Sequence, residues 1–311
     1  MQSTEFQHRY AGGASLARRW LPADKTALRG TVQLVHGMAE HSGRYARLAG
    51  ALNKAGYAVY AHDLPGHGPQ SDPDDVGHFG DRRGWRIAVS SIRELQRTIQ
   101  REQPGKPLFV VGHSMGSYLV QHFVVDAGGQ VSGAVFSATS GDLGLTRRVG
   151  LALVRVEAAA YGKRHPSAVG EAISFKTFNR RFRPARTPFD WLSRDKAEVD
   201  RYVADPHCGY RVTTGLWIDL LEAAGWLAAP HRLRRVPKSL PVLIIAGEAD
   251  PAGGGERGAR SLARNYQEVG LRDVTVKVYP EARHELFNDT CREQVTRELI
   301  GWLDARAAAS A

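Results

Sequence analysis

The sequence predicts an α/β fold with a mostly parallel central sheet, helices on both faces of the sheet and an inserted helical cap. Apolar runs of strand length alternate along the chain with segments whose apolar residues recur every three to four positions. Such alternation is typical of parallel strands joined by crossover helices. It stops between about residues 141 and 235, a stretch that has helical spacing and is rich in Arg and Trp. We therefore expect a mobile cap inserted between two halves of one sheet.

The individual elements follow from local composition and spacing. Short runs rich in Val, Ile, Leu and aromatic residues, bounded by turn residues, predict strands at 31–37, 57–63, 108–114, 131–139, 241–250 and 274–280. Helical spacing predicts helices at 42–56, 86–102, 115–128, 257–269 and 291–306. The predicted domains are a first part of the core over 1–140, the cap over 141–235 and a second part of the core over 236–311.

The composition is that of a soluble globular protein. The chain has 311 residues, of which 42% are hydrophobic and 24% charged, so a large apolar core is expected. The first ten residues lack the basic and apolar regions of a secretory signal, which favours a cytoplasmic location. Cys208 and Cys291 lie far apart without metal-binding spacing. We therefore expect no disulfide, no metal and no cofactor.

The formal net charge of +10 raises the question of nucleic-acid binding. Basic residues are interspersed with acidic ones along most of the chain, and no nucleic-acid-binding motif is present. Net charge influences solubility and encounter rates before it indicates a function. We therefore expect no nucleic-acid partner.

Ser114 lies at the centre of a G-x-S-x-G motif bounded by Gly112 and Gly116. The motif alone is weak evidence, but here it follows a predicted strand and opens a predicted helix, as the nucleophile elbow of an α/β-hydrolase requires. The alternative, a serine that only caps a helix, does not need two nearby glycines. Ser114 is therefore predicted to be an exposed nucleophile above the carboxyl edge of the sheet.

A serine nucleophile needs a base and an acid that orients the base. In this fold the acid and then the histidine follow later strands. Asp250 follows the strand 241–250, with Glu248 as the rival acid, and His284 follows the strand 274–280. The alternative for His284 is an ordinary surface loop histidine. We predict Ser114, Asp250 and His284 as the catalytic residues.

The oxyanion of an acyl-transfer reaction needs two backbone N–H donors. Met115 begins the predicted helix, where backbone donors are free and the helix dipole favours an anion. Met38 lies in the loop after the strand 31–37. Their two N–H groups are the predicted oxyanion hole.

Taken together, several segments resemble the monoacylglycerol lipase and lysophospholipase-like branch of the α/β-hydrolases. They are VHGMAEHSGRY (35–45), DLPGHG (63–68), VVGHSMGS (110–117), SRDKAEVDRYVADPHC (193–208), GEADP (247–251) and EARHE (281–285). The resemblance implies a cofactor-free serine hydrolase that cleaves carboxylic esters with a medium or long acyl chain. It also implies that Glu40, Arg44 and Tyr202 line a pocket for the alcohol part of the ester. The alternative for Glu40 and Arg44 is an ion pair at the start of a helix.

Other functions remain open on this scaffold, because chemistry is set by the pocket and the cap. The same three residues serve aminopeptidases, thioesterases, acyltransferases and perhydrolases, and a binding protein that has lost turnover would share the fold. The expected partner is in every case a small molecule, with transient contact of the cap to a membrane surface or micelle as a further hypothesis.

The cap carries two features that distinguish it from a plain apolar lid. Segments 178–191 and 231–235 are strongly basic, so their arginines either attract anionic groups or form a solvated face paired with Asp and Glu. Segment 147–164 is basic and amphipathic. It is expected either to rest on a membrane interface or to line the acyl tunnel with Leu151 and Val154.

Overall fold

The computed structural model describes residues 3–24, 28–141 and 144–308. The strands are β1 (Thr4–Tyr10), β2 (Gly13–Trp20), β3 (Gly30–Val35), β4 (Tyr57–His62), β5 (Leu108–His113), β6 (Gly133–Ser137), β7 (Val242–Gly247) and β8 (Val274–Tyr279). The helices are α1 (Ala46–Lys54), α2 (Gly84–Glu102), α3 (Met115–Ala127), α4 (Gly144–Tyr161), α5 (Ala168–Ile173), α6 (Phe175–Phe178), α7 (Lys196–Ala204), α8 (Thr214–Leu227), α9 (Pro230–Leu233), α10 (Gly255–Glu268) and α11 (Arg292–Ala307).

The described strands form one eight-stranded sheet in the order β1-β2-β4-β3-β5-β6-β7-β8. The pairs β1–β2 and β2–β4 are antiparallel, and every other neighbouring pair is parallel. Strands β3 to β7 are buried along their whole length. Continuous apolar strands of this kind are required when helices cover both faces of a parallel sheet. The predicted α/β-hydrolase fold class is confirmed.

Two apolar layers sandwich the sheet. Helices α1 and α11 cover one face, where Leu52 and Leu303 pack against strand residues. Helices α2, α3 and α10 cover the other face with side chains that include Ile92, Phe123 and Leu262. Packing on both faces fixes the positions of the strands. The loops that follow the carboxyl ends of the strands, where ligands bind in such sheets, are therefore attached to a rigid core.

The N-terminal hairpin β1–β2 is absent from the sequence-based prediction. Residues 4–10 contain no apolar run, and β1 is mostly exposed at the edge of the sheet. The signal that was available is the turn, because Gly12 adopts a φ of +115°, a conformation that glycine supplies at little cost. The predicted strand 241–250 is also too long. The strand ends at Gly247, because the N–H of Ala249 donates to the carbonyl of Ala282 as the chain leaves the sheet.

Helices α4 to α9 lie between β6 and β7 along the chain. Helix α8 packs on α2 and α3, and α4 packs on α8. Leu216 and Leu227 of α8 belong to the same apolar cluster as the side chains of α2, α3 and α10 that pack on the sheet. These helices are thereby attached to the core above the carboxyl edge. The division of the chain into 1–140, 141–235 and 236–311 as domains stays a prediction. None of the described helices is both long enough and apolar enough to cross a bilayer.

Candidate active site

Ser114 occupies the sharp corner between β5 and α3. Its φ is +51° and its ψ is −121°, a strained conformation for a residue with a side chain. The flanking glycines are sterically required. A Cβ atom on Gly116 would lie 2.3 Å from the carbonyl oxygen of His36, and one on Gly112 would lie 2.5 Å from that of Gly116. The sequence therefore has little choice at these two positions if Ser114 is to be presented in this way.

The structure brings Ser114, His284 and Asp250 into one hydrogen-bonded chain. Nε2 of His284 lies 2.9 Å from Oγ of Ser114, and Nδ1 lies 2.9 Å from Oδ1 of Asp250. Asp250 also accepts the N–H of Ala252 at 2.8 Å. The rival acid, Glu248, is exposed and accepts the N–H of Glu281 instead. Of the two carboxylates considered from sequence, only Asp250 therefore contacts the imidazole.

Electrostatics at this site favour a positive charge on the imidazole. Burial alone would lower the pKa of His284, but the charge of Asp250 and its hydrogen bond outweigh burial and raise that pKa. Burial would likewise raise the pKa of Asp250, whereas His284 and two backbone N–H groups hold it below its usual value. Asp250 is therefore an anion that stabilises an imidazolium beside Ser114.

The N–H groups of Met38 and Met115 have no hydrogen-bond acceptor among the described residues. Met115 is the first residue of α3, and both methionines line the cavity that contains Ser114. The loop that carries Met38 is fixed from outside. The carbonyl of Ala39 accepts the hydroxyl of Tyr202 at 2.9 Å and the N–H of Gly209 at 2.9 Å. An oxyanion hole requires backbone N–H groups that are fixed in position and have no other acceptor, and these two N–H groups fit that requirement.

Glu40, Arg44 and Tyr202 do not line this cavity. Nη1 of Arg44 donates to Oε2 of Glu40 at 2.7 Å, and Oε1 of Glu40 accepts the N–H of Gly37 at 2.6 Å. Tyr202 is buried, with the Arg44 guanidinium 4.8 Å above its ring. These contacts occupy the polar atoms that would face an alcohol. The ion pair considered as the alternative for Glu40 and Arg44 is present, and their role in an alcohol pocket remains a hypothesis that this placement does not support.

Burial alone would raise the pKa of the Glu40 carboxyl, but Arg44 and two neighbouring histidines lower it. The pKa of Arg44 is held well above its usual value, because Glu285 and Glu40 outweigh the effect of burial. A buried cation between two buried carboxylates is therefore ionised at neutral pH.

Three residues near the site were not found from sequence. Glu285 binds Arg44 through two hydrogen bonds of 2.6 and 2.7 Å. The rings of Trp191 and His113 each lie 4.9 Å from the ring of His284. Burial and the charge of His284 lower the pKa of His113 to about 4, so it is neutral at pH 7. Their partners are distant along the chain, and no local motif signals such contacts.

The cavity above Ser114 has a volume of about 600 Å³. Among the described residues, no carboxylate lines it, and the cationic or titratable side chains Arg147 and His284 do. Helices α4, α5 and α8 contribute aliphatic side chains to the wall, namely Leu145, Val149, Leu153, Ile173, Leu220 and Leu221. Such a wall fits an apolar chain.

Helix α4 lines the cavity with a different face from the one predicted. Gly150 and Leu153 border the cavity, whereas Val154 is fully buried in the main apolar cluster. Leu151 is partly exposed and does not line the cavity. The sequence indicated an amphipathic helix but not its rotation about its axis, which is set by packing against α8.

His41, Asp205 and Cys208 form one group of metal-ligand types among the described residues. Nε2 of His41 lies 2.9 Å from Oδ2 of Asp205, and Nδ1 accepts the N–H of Gly43. Burial raises the pKa of the Cys208 thiol, which keeps it protonated. His41 and Asp205 therefore bind each other, and the protonated thiol of Cys208 lies beside them.

Comparison with known proteins agrees with this geometry. The family profile described as "Serine aminopeptidase, S33" matches residues 26–291. The monoacylglycerol lipase of Mycolicibacterium smegmatis is 30% identical, over 97% of this chain and 98% of its own. The monoglyceride lipase of Homo sapiens is 29% identical, over 94% of this chain and 87% of its own.

Solved structures are similar as well. A thermostable carboxyl esterase from Bacillus coagulans, solved in complex with glycerol, has a TM-score of 0.89 and 27% identity, with 99% of each chain covered. The monoglyceride lipase of Saccharomyces cerevisiae has the same fold, with a TM-score of 0.76, 20% identity and coverage of 98% of this chain and 97% of its own. The predicted likeness to the monoacylglycerol lipase-like branch and the predicted class, a carboxylic ester hydrolase, are confirmed. With the profile matched over most of its length, the chain belongs to the serine aminopeptidase S33 family of α/β-hydrolase-fold proteins.

Proposed function

We propose that the protein hydrolyses the carboxylic ester of monoacylglycerols or similar single-chain lipid esters through an acyl-enzyme on Ser114. One observation carries the proposal. The Ser114–His284–Asp250 hydrogen-bond chain, with two distances of 2.9 Å, opens into an apolar cavity of about 600 Å³. A nucleophile and an apolar chain site in the same cavity suit a lipid ester.

In the first half-reaction, Nε2 of His284 takes the Ser114 proton as Oγ bonds to the ester carbonyl carbon. The N–H groups of Met38 and Met115 donate to the carbonyl oxygen as it becomes an anion. The imidazolium then gives its proton to the alcohol oxygen, and the carbon–oxygen bond to the alcohol breaks. Asp250 stabilises the imidazolium throughout. The products of this half are the free alcohol and an ester on Ser114.

In the second half-reaction, His284 takes a proton from water, and the resulting hydroxide oxygen bonds to the acyl carbon. The same two N–H groups stabilise the second oxyanion. The proton on His284 returns to Oγ of Ser114 as the acyl–oxygen bond breaks. A fatty acid leaves, and the hydrogen bond between Ser114 and His284 forms again.

The lining disfavours the aminopeptidase alternative. An aminopeptidase must bind an α-ammonium group, and burial of an unpaired cation is costly. No carboxylate lines the cavity around Ser114 in the described part of the chain, and Arg147 would repel a second cation. The thioesterase alternative uses the same three residues and is tested by the acyl thioesters in the panel below. The acyltransferase and perhydrolase alternatives differ in the acyl acceptor and stay hypotheses.

Contact with a lipid surface is a further part of this proposal. Helix α4 exposes an apolar stripe that contains Leu145 and Val156, which are 74% and 71% exposed. Leu145 also borders the cavity, so the stripe lies at its mouth. Vesicle sedimentation tests this contact. Val156 does not line the cavity, so Val156→Asp should reduce vesicle binding while leaving hydrolysis of monomeric esters unchanged. The cytoplasmic location and the lack of a nucleic-acid partner stay predictions from sequence.

The substrate class is tested with a panel of esters and amides. The purified protein is assayed on p-nitrophenyl esters of graded chain length, monoacylglycerol, lysophospholipid, acyl thioesters and aminoacyl anilides. We expect esters of medium and long chains to be cleaved and anilides to be inert. Ser174 is a matched control, because it also lines the cavity but donates to the carbonyl of Gly170 and contacts no histidine of the described chain through a hydrogen bond. Ser114→Ala should abolish hydrolysis and Ser174→Ala should retain it. Cleavage of anilides alone would refute the proposal.

A further inference from the structure

A second cavity of about 660 Å³ lies beside the catalytic one. The two cavities share a wall made of Phe175 and Trp217, which line both. The second cavity differs sharply in charge. Four cationic side chains and one carboxylate line it, Lys176, Arg180, Arg183, Arg211 and Glu171, which leaves a net of three positive charges.

Three of these cations have no acidic partner in the part of the chain that the structure describes. Arg211 binds Glu171 through Nε at 2.7 Å, which neutralises it. Lys176, Arg180 and Arg183 form no ion pair with any carboxylate of the described residues. The explanation of the basic cap as a paired, solvated face therefore fails for these three.

That explanation holds only for some arginines elsewhere in the cap, because Arg232 and Arg234 also form no ion pair among the described residues. Arg186 pairs with Asp200, and Arg235 pairs with Asp126 at 3.0 Å. Unpaired cations are therefore present in several parts of the cap, and three of those among the described residues line the second cavity.

The basic cavity is tied to the catalytic loops. Its wall includes Gly209, whose N–H donates to the carbonyl of Ala39, the residue after Met38. The side chain of Asn179, also in the wall, donates to the carbonyl of Thr187 at 2.7 Å and accepts the N–H of Trp191 at 3.1 Å. Trp191 in turn packs against His284. The wall of the basic cavity is thus hydrogen-bonded to the loop of Met38 and is linked through Trp191 to His284.

We propose that this basic cavity binds a phosphate group carried by the alcohol part of the ester, so that phosphorylated single-chain glycerol esters are preferred over neutral ones. The inference rests on the proposed ester hydrolase function and narrows its substrate class. An acyl chain is stabilised by the apolar cavity, where Arg147 is the one guanidinium among the described residues that a charged head group could meet. Arginine side chains match phosphate oxygens through paired hydrogen bonds, and the adjoining cavity supplies two of them with a lysine.

The test compares 1-decanoylglycerol 3-phosphate with 1-decanoylglycerol, both below their aggregation thresholds so that surface binding does not contribute. We expect wild-type kcat/KM to favour the phosphorylated ester by about tenfold, a modest effect because the three cations are exposed to solvent. The triple variant Lys176→Gln/Arg180→Gln/Arg183→Gln should lose this preference through a higher KM for the phosphorylated ester alone. High ionic strength should reduce the wild-type preference.

Arg181 provides the matched control. It lies in the same segment, forms no ion pair among the described side chains and does not line the cavity. Arg181→Gln should therefore keep the wild-type preference within about twofold. Equal kcat/KM for the two esters in the wild type would overturn the inference, as would an equal loss on both esters in the triple variant.

Two further measurements separate the remaining outcomes. Decyl phosphate should inhibit hydrolysis of the phosphorylated ester more strongly than inorganic phosphate does, and equal inhibition would assign the cavity to free phosphate and overturn the substrate role. If no ester is hydrolysed, the proposed function fails instead. The inference is then decided by calorimetric binding of 1-decanoylglycerol 3-phosphate to Ser114→Ala, which the three Gln substitutions should weaken and which their failure to weaken would refute.

Discussion

Arg44 and Glu285 form a bidentate ion pair, with Nη1–Oε1 and Nη2–Oε2 distances of 2.6 and 2.7 Å, between residues 241 positions apart in sequence. Arg44 also binds Glu40, which accepts a backbone N–H from the loop of Met38. Glu285 directly follows His284. This buried cation therefore connects the loop of the oxyanion donor to the loop of the catalytic base.

Removing the cation should destabilise the protein strongly. Arg44→Met leaves Glu40 and Glu285 buried without compensation, and breaking a buried pair in this way costs about 3–5 kcal/mol. Urea unfolding measures the change in the free energy of unfolding. Arg155→Met is the control, because Arg155 and Glu222 are both exposed and their pair is worth less than about 1 kcal/mol. Equal effects of the two substitutions would contradict the connection described above.

The pH dependence of hydrolysis should report the raised pKa of His284. Only the neutral imidazole accepts the Ser114 proton, so kcat/KM is lost as the pH falls through this pKa. Because Asp250 raises it, the inflection should lie above about 6.5, the ordinary histidine value. Steady-state kinetics between acid and mildly alkaline pH measure it.

Asp250→Asn should move that inflection to lower pH and reduce kcat by about 10⁴-fold, since the anion that raises the pKa and orients the ring is lost. Glu248→Gln is the matched control, because Glu248 leaves the same strand but is exposed and does not contact His284. An unchanged inflection in Asp250→Asn would show that another group titrates.

The glycines around Ser114 should tolerate no side chain. Gly116→Ala places a Cβ atom 2.3 Å from the carbonyl of His36, so the corner must distort. We expect a loss of about 1–3 kcal/mol in stability and a larger loss of turnover. Gly50→Ala is the control, since α1 has open space there and alanine should stabilise the helix by about 0.5–1 kcal/mol. Thermal unfolding and ester hydrolysis distinguish the two, and a fully active Gly116→Ala would contradict the steric argument.

Chain-length preference should follow the apolar cavity. Each methylene buried contributes about 0.8 kcal/mol, which corresponds to about fourfold in kcat/KM until the cavity is filled. Leu153→Trp, on the cavity wall, should shift the optimum to shorter esters. Val156→Trp is the control, because Val156 lies on the same helix but is exposed and does not line the cavity. A series of p-nitrophenyl esters measures both, and a flat profile would argue against acyl binding in this cavity.

Residues whose position depends on strand order could be predicted from sequence. Ser114, Asp250 and His284 each follow a strand of the parallel sheet, and parallel strands deliver their following loops to one edge. The motif and the alternation of strands and helices were therefore enough to bring these three together before any coordinates were considered.

Residues whose position depends on tertiary packing could not be predicted from sequence. The ion pair of Glu285 with Arg44 joins residues that become neighbours only in the folded chain. The edge hairpin β1–β2 lacks the apolar runs that are typical of buried strands. The cavity-lining face of α4 is set by its contact with α8, which its own periodicity does not contain. Basic residues such as Arg183 and Arg186 are neighbours in sequence, yet only Arg186 has an acidic partner among the described residues.

The central claim is that His284 activates Ser114 as a nucleophile, and covalent labelling tests it most directly. The wild-type protein is treated with a fluorophosphonate, digested and analysed by peptide mass spectrometry. We predict a single phosphonylated peptide with the modification on Ser114, formed much more slowly in His284→Ala and absent in Ser114→Ala. An unlabelled wild-type Ser114, or equal labelling in Ser114→Ala, would contradict the account.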